Sequence, residues 1–227
     1  MARTLDVAVH TVRRDTFVEA AQRLIVTEGY DRMSVQDVLD EVDASRGAFY
    51  HYFDSKGALL DAVVERMVDQ ATTRVEPIVT DPALTATARL SGMFTGIADW
   101  KGEQADLILG LLDAWLADEN AIVREKVRRH ILDRLTPLLT TILRDGRKNG
   151  EFSVSAPEET ARVVISLVLG ANETASQLYV GRRAGTIEID EVVRVLGAFA
   201  EALERIVGAK PGSLPIADEA LIRHWYA

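Results

Sequence analysis

The 227-residue sequence contains no cysteine. Disulfide bonds, thiolate nucleophiles and cysteine-ligated zinc are therefore excluded, in agreement with a reducing compartment. Long apolar runs are also lacking, because the longest, at 163–169, is interrupted by Ser166 and is far too short to span a bilayer. The N-terminal residues show no apolar segment typical of a signal peptide. We therefore expect a soluble cytoplasmic protein with no membrane association.

Common enzyme motifs are missing too. The sequence has no GxSxG, HExxH, Walker A or GxGxxG pattern. His130 and Asp133 have a spacing that can hold a metal or form an acid–base pair, but they lie in the charged run 124–134, which is typical of a solvated helix face with ion pairs. We therefore predict a protein that is not an enzyme and uses no cofactor and no metal.

An excess of basic residues is absent as well. The chain carries 26 Lys and Arg against 35 Asp and Glu, a net charge of -9, and residues 1–60 carry seven against ten, or -3. Basic groups occur only locally, at Arg3, Arg13, Arg14, Arg46 and Lys56. Any binding to nucleic acid must therefore depend on a few placed contacts, and non-specific binding should be weak and steeply salt dependent.

What the sequence does contain is helical periodicity throughout, so we predict an all-α fold. A composition of 48% hydrophobic and 27% charged residues with only 6 prolines is typical of a folded globular chain. A first helix is predicted at 13–28, where an apolar stripe includes Phe17, Leu24 and Ile25. Ser34, with Asp37 three residues later, is expected to cap a second helix, and Ser45 a third helix at 46–53.

The third predicted helix has two distinct faces. Phe49, Tyr52 and Phe53 gather on one side and are assigned to the core, while Gly47, Tyr50 and His51 lie on the other. Together with Arg46 at its edge, the second side is suited to a DNA major groove, where arginine bonds a guanine edge and Tyr or His bonds phosphate or base. The alternative is that Tyr50 and His51 are ordinary exposed residues on a packing helix.

The segment SRGAFYHYFDSKGALL, within Ser34 to Leu60, resembles the helix-turn-helix signature of the TetR family of bacterial regulators, in the variety S-x-G-A-F-Y-H-Y-F-x-S-K. Three positions depart from the family pattern: Leu39 replaces a small Ala, Asp43 a turn Gly, and Ala44 a Val. The resemblance implies a recognition helix from Ser45 to His51 and phosphate contacts from Tyr50 and Lys56. The predicted DNA-binding residues are Arg14, Ser34, Gln36, Ser45, Arg46, Gly47, Ala48, Tyr50, His51 and Lys56.

The resemblance also implies a domain organisation. Residues 1–54 are expected to form the helix-turn-helix domain, 55–208 the helical effector-binding and dimerisation bundle, and 209–227 a C-terminal extension that packs on the body or on a partner. Further helices are predicted at 55–76 (ended by Pro77), from Asp81 and Pro82 to Gly102, and at 104–116, 120–147, 157–180 and 189–207. The helix at 157–180 follows a capping box at Ser155 and Glu158 and, being apolar nearly all round, is expected to be buried on several sides. The last two helices are where members of this family form a four-helix dimer interface.

A sensing role would require an apolar pocket with a few polar groups in the C-terminal helices. The candidate ligand-binding residues are Phe94, Trp100, Leu111, Trp115, Leu138, Asn172 and Ser176. The alternative for each is an ordinary core or interface residue.

The resulting hypothesis is a homodimeric regulator, most simply a repressor, released from a pseudo-palindromic double-stranded DNA operator by a small apolar effector. The rival hypotheses are a helical ligand-binding dimer without DNA binding and a small all-α enzyme that uses His130 and Asp133.

Overall fold

A computed structural model describes residues 2–214 and 219–226, with side chains described from His10 onwards. The described residues contain helices and no strand, so the predicted all-α fold is confirmed. The helices are α1 (Ala2–Glu28), α2 (Val35–Glu41), α3 (Arg46–Tyr52), α4 (Lys56–Thr80), α5 (Ala86–Glu103), α6 (Ala105–Gly110), α7 (Leu112–Leu116), α8 (Ala121–Lys148), α9 (Pro157–Arg183), α10 (Ile189–Val207) and α11 (Glu219–Trp225), with a 3₁₀ turn at Asp118–Asn120.

The chain divides into two compact units. The first comprises Met1–Asp69 and Lys101–Val127, and the second comprises Gln70–Trp100 and Arg128–Ala227. Helices α4, α5 and α8 each contribute residues to both units. The functional division at residues 54 and 208 predicted from the sequence remains a prediction.

The first unit is built around Phe17 of α1. The Phe17 ring meets Phe49 edge-on at 5.7 Å and Phe53 at 6.2 Å, and all three side chains are buried. The prediction that Phe49 and Phe53 belong to the core is therefore confirmed, whereas Tyr52 is only partly buried. Helix α1 begins at Ala2, well before the predicted start at residue 13, because no Gly or Pro interrupts the preceding residues.

Both predicted N-caps of the helix-turn-helix segment are present. The Ser34 hydroxyl accepts the Asp37 N–H at 3.2 Å while the Asp37 carboxylate accepts the Ser34 N–H at 2.7 Å, which completes a capping box. Hydrogen bonding by the Ser34 side chain, and secondly by the Ser34 N–H, lowers the pKa of Asp37. At the next helix the Ser45 hydroxyl accepts the Ala48 N–H at 3.3 Å. Local sequence thus determines where α2 and α3 begin.

Two predicted helix boundaries in the second unit are wrong. Pro77 lies inside α4 rather than ending it, and α5 begins at Ala86 rather than at Pro82. The Asp81 carboxylate accepts the Ala83 N–H at 2.8 Å, so Asp81 forms a turn instead of a helix cap. The first N–H groups of α5 are instead satisfied by Glu151, whose carboxylate accepts from Ala86 at 3.0 Å and Thr87 at 2.8 Å. The Thr85 hydroxyl also accepts the Ala88 N–H at 3.1 Å.

Other boundaries also differ from the prediction. The single helix predicted at 104–116 is two short helices, α6 and α7, that meet at Leu111. Asn120 lies in a 3₁₀ turn and donates its side-chain amide to the Ala114 carbonyl at 2.9 Å. The predicted capping box at Ser155 is absent, because α9 starts directly at Pro157, where proline is favoured as the first helical residue.

The second unit has one main hydrophobic core and a smaller one. The main core is formed by side chains of α4, α5, α8, α9 and α10 and includes Val75, Val79, Leu90, Met93, Leu139, Ile142, Leu143, Val164 and Leu203. The smaller one joins Leu178 of α9 and Val192 of α10 to Ile222 and Tyr226. The predicted packing of the C-terminal extension on the body is thus confirmed for residues 219–226; residues 215–218 and 227 lie outside the described part of the chain.

The prediction that α9 is buried on several sides is wrong for the single chain. By length and composition it is apolar enough to cross a membrane, yet only 17% of its most apolar window is buried. Its buried residues, Ala161, Val164, Ile165 and Leu178, lie against the rest of the unit, while Val163 is 53% exposed and Val180 is 41% exposed. A single chain therefore leaves much of the apolar surface of α9 uncovered.

Candidate nucleic-acid interface

Helix α3 presents a polar face to solvent because its opposite face is anchored in the core. Phe49 is completely buried, whereas Tyr50 is 55% exposed. Arg46, Gly47 and His51 are exposed on the same side as Tyr50. The structure therefore brings together the residues that the sequence predicted to face DNA, and leaves them accessible.

The turn before α3 is formed by Asp43 with a left-handed backbone at a φ of 49°. Among the described non-glycine residues Asp43 alone has a positive φ, and aspartate tolerates this region better than most residues do. Leu39 is buried at 2% exposure, and its carbonyl accepts the Ala44 N–H at 3.0 Å. The turn thus forms although Leu39, Asp43 and Ala44 depart from the family pattern.

The other predicted contacts on α2 and at the start of α3 are partly engaged within the protein. Ser34 and Ser45 are exposed, and both hydroxyls accept capping hydrogen bonds. Gln36 is exposed and donates its side-chain amide to the Asp40 carboxylate at 2.7 Å. Ala48 is partly buried. A phosphate that approached Gln36 would thus compete with an existing hydrogen bond.

Lys56, in the first turn of α4, is held against the loop that follows α1. Its ammonium lies 4.1 Å from the centre of the Tyr30 ring and donates to the Asp31 carbonyl at 3.3 Å. Burial lowers the pKa of Lys56, and the Asp31 and Asp37 carboxylates partly offset this effect. Burial, reinforced by Asp31, raises the pKa of Tyr30 to about 12. The contacts with Tyr30 and Asp31 therefore hold the Lys56 ammonium in one position.

Arg14 of α1 is similarly placed by its neighbours. Its guanidinium lies 5.4 Å from the centre of the Phe53 ring and 3.9 Å from the Glu65 carboxylate. The Arg14 side chain is 38% exposed, so it remains accessible from solvent. Arg3, counted with the local basic groups in the sequence, has a side chain outside the described part of the structure.

One residue of this surface was missed by the sequence analysis. The His10 ring lies 4.6 Å from the Tyr52 ring and 5.4 Å from the His51 ring. A signal was present in the sequence, because His10 precedes Phe17 by seven residues and therefore lies on the same face of α1. The predicted start of α1 at residue 13 excluded His10 from consideration.

The predicted ligand-binding residues do not form one described cavity. Phe94 and Leu138 pack at the edge of the main core of the second unit, and Trp100 is buried at 9% exposure. Ser176 donates its hydroxyl to the Asn172 carbonyl at 3.1 Å, and both residues are partly buried. In the first unit Leu111 is buried and Trp115 is partly buried. The two open clefts described in the second unit, of about 350 and 500 Å³, are lined by other residues.

The His130 and Asp133 pair gains no third ligand. Within residues 2–214 and 219–226, no group of three or more His, Cys, Asp or Glu side chains lies close enough together to hold a metal ion. Asp133 instead lines the smaller cleft beside Thr136 and Arg144.

Comparison with known proteins agrees with the geometry of α2 and α3. Residues 17–63 match the family model of bacterial regulatory proteins of the tetR family. The chain is 34% identical over 87 residues to the HTH-type transcriptional regulator YuxN of Bacillus subtilis (strain 168), an alignment that covers 37% of this chain but only 30% of that protein. It is 24% identical over 159 residues to the HTH-type transcriptional repressor DhaR of Mycobacterium sp. (strain GP1), covering 70% and 79% of the two chains.

Among solved structures, RolR in complex with resorcinol is similar in fold. The TM-score is 0.61 at 17% sequence identity, over 97% of this chain and 96% of that one. This likeness extends the shared fold from the helix-turn-helix segment to the C-terminal helices. Residues 17–63 therefore match the tetR family of bacterial regulatory proteins, and the chain shares the fold of RolR over nearly its whole length.

Proposed function

We propose that the chain acts in the cytoplasm as a homodimeric repressor that is released from its operator by a small effector. The observation that carries the proposal is the exposed polar face of α3, formed by Arg46, Gly47, Tyr50 and His51 opposite the buried Phe49. In a dimer the two α3 helices would enter successive major grooves, so the operator would be a pseudo-palindrome with half-sites roughly 34–36 Å apart, or a multiple of that.

The proposed contacts divide by role. Arg46 reads a guanine edge, because a guanidinium bonds the O6 and N7 atoms of guanine together. Tyr50, Lys56 and Arg14 contact phosphates, and His51 contacts phosphate or base. Gly47 allows close approach of the helix backbone to DNA. Since residues 1–60 carry a net charge of -3, these few contacts provide the affinity, which should fall steeply with salt.

A mobility-shift assay with the DNA flanking the gene tests this proposal. Arg46→Ala is expected to weaken operator binding by about 1–3 kcal/mol and to relax discrimination at one base pair. Lys210→Ala is the matched control, because it removes one positive charge from an exposed loop of the second unit. An unchanged sequence-specific shift for Arg46→Ala would refute the assignment of the recognition helix. A protein that dimerises but binds no DNA would instead support the ligand-binding dimer, which the acidic N-terminal segment favours.

The proposed dimer forms through α9 and α10. Helix α9 leaves most of its apolar surface uncovered in the single chain, and α10 has an apolar face of which only Val192, Leu203 and Val207 are buried. A solvent-exposed apolar surface of this kind favours association with a second copy. Isologous pairing of the two helices would give a four-helix interface.

The proposed effector is a small apolar or aromatic molecule. The resorcinol complex of RolR supports this class, because that protein shares the fold. Phe94, Trp100, Leu111, Trp115, Leu138, Asn172 and Ser176 keep their predicted role in ligand binding as a proposal. The effector would bind more tightly to a conformation with wrongly spaced recognition helices, and so shift the population away from DNA.

A panel of phenols and other small aromatics, added to the protein–operator complex, tests this part of the proposal. A ligand of the right class should release the DNA and raise the melting temperature of the free protein. Replacing Trp115 or Asn172 should shift the effector concentration needed for release without changing operator affinity.

We further propose that the chain binds its effector without catalysis, cofactor or metal. Ligand turnover that is lost in His130→Ala would refute this.

A further inference from the structure

His10 lies at the edge of the DNA-facing surface, outside the segment that matches the family model. Its ring is tilted against Tyr52 at 4.6 Å and meets His51 nearly edge-on at 5.4 Å. His51 and Tyr52 in turn contact each other at 4.9 Å. The three rings therefore form a closed cluster in which the side chain of a proposed DNA-reading residue has two aromatic neighbours.

We propose that His10 is a positioning residue for the recognition helix and holds the His51 side chain in the orientation in which it reaches DNA. The inference rests on the proposed function, because it assumes that α3 enters the major groove. It also extends the functional surface of the protein N-terminally beyond Arg14, the first of the predicted DNA contacts.

The physical reason is rotamer entropy. An exposed histidine on a helix surface samples several side-chain orientations, and ordering it on binding costs free energy. Contact with the rings of His10 and Tyr52 orders the His51 side chain before DNA arrives. Tyr52 is itself fixed, because its ring lies 5.9 Å from that of the buried Phe17.

The contact uses ring edges and faces rather than a hydrogen bond or a charge. Loss of the His10 ring should therefore weaken operator binding by roughly two- to twelve-fold. This range is the cost of about 0.5–1.5 kcal/mol for ordering one side chain at an interface, converted at 1.4 kcal/mol per factor of ten. Binding to DNA of unrelated sequence should weaken by the same factor where His51 contacts a phosphate, and much less where it contacts a base.

Three variants test the inference in the full-length protein. His10→Ala removes the ring, His10→Phe restores an aromatic ring without an imidazole, and Val12→Ala changes a 68% exposed neighbour on the same helix. We expect weakened operator binding for His10→Ala, near wild-type binding for His10→Phe, and no change for Val12→Ala. Equal binding by His10→Ala and wild type would overturn the inference, and so would a His10→Phe variant as weak as His10→Ala.

A measurement on the free protein separates this inference from the proposed function. Nuclear Overhauser contacts between the His51 and Tyr52 rings should be present in the wild type and in His10→Phe, and should weaken in His10→Ala. If the wild type bound no operator but showed this pattern, the proposed function would fail while the positioning of His51 by His10 would stand. Unchanged ring contacts in a folded His10→Ala protein would refute the positioning role directly.

Discussion

The Tyr30 backbone N–H donates a 3.2 Å hydrogen bond to the carbonyl oxygen of Gly110, the last residue of α6. This bond lies where α6 packs against α1, and a Cβ atom at Gly110 would come within 2.5 Å of the Ile25 carbonyl oxygen. Tyr30 in turn supports Lys56, a proposed phosphate contact, through its ring. The position of α6 is thus linked by direct contacts to Lys56, a residue that we propose contacts DNA phosphate.

Gly110→Ala should therefore destabilise the first unit and weaken DNA binding. Added bulk at a closely packed contact costs typically 1–3 kcal/mol, because the backbone must move. Denaturant unfolding measures the stability change, and a salt titration of operator binding measures the phosphate contacts. Gly102→Ala is the matched control: it also lies in a helix, its added Cβ meets nothing within 4 Å, and it should stabilise by about 0.5–1 kcal/mol. Equal stabilities for the two variants would contradict the prediction.

Asp43→Gly should stabilise the protein. Asp43 adopts a φ of 49°, where a side chain costs roughly 1 kcal/mol of steric strain that glycine avoids. Asp43→Val should be destabilising, because a β-branched residue is strongly disfavoured in the left-handed region. Thermal melts of the three proteins at equal concentration would rank them Gly, Asp, Val in decreasing stability. Any other order would show that the turn relaxes out of the left-handed conformation.

Glu151→Ala should cost about 1 kcal/mol at neutral pH, the usual cost of losing a helix cap. Burial raises the pKa of Glu151, but the N–H groups of Thr87 and Ala86 outweigh this effect, so the pKa is lowered from its ordinary value of 4.5. A group with a lowered folded pKa contributes stability that is present above the unfolded pKa and is lost as pH falls through the folded pKa. The stability difference between wild type and variant should therefore shrink below pH 4.5.

Chemical denaturation at several pH values between neutral and acidic measures this dependence. Glu76→Ala is a suitable control, because it removes an exposed carboxylate from α4 without removing a cap. A stability difference for Glu151→Ala that stayed constant down to strongly acidic pH would exclude the ionised carboxylate as the cap of α5.

Val163→Arg combined with Val180→Arg should convert the proposed dimer to a monomer. Both valines are apolar and exposed on α9, and burying an unpaired arginine in an interface is strongly unfavourable. Light scattering should show a mass of 25.0 kDa in place of twice that value, and operator binding should be lost with the dimer. Ile122→Arg, at a 71% exposed position of α8 in the first unit, should leave the mass unchanged. A doubly substituted protein that remained dimeric would place the interface elsewhere.

The sequence alone was sufficient for the parts of the protein that depend on local interactions. Ser34 and Ser45 form the predicted caps, and α10 spans the predicted residues 189–207, because capping and apolar periodicity act within one or two helical turns. The polar face of α3 also followed from spacing. Successive residues on a helix are rotated by about 100°, which separates the buried Phe49 from the exposed Tyr50.

Only the tertiary structure decided features that join distant residues. The first N–H groups of α5 are capped by Glu151, 65 residues later in the chain from Ala86, in addition to the local cap from Thr85. The contact of His10 with His51 and the approach of Gly110 to Ile25 likewise depend on how helices pack. These features were hidden in the sequence because packing partners are selected by the whole folded chain, whereas caps and helix faces are set by neighbours a few residues away.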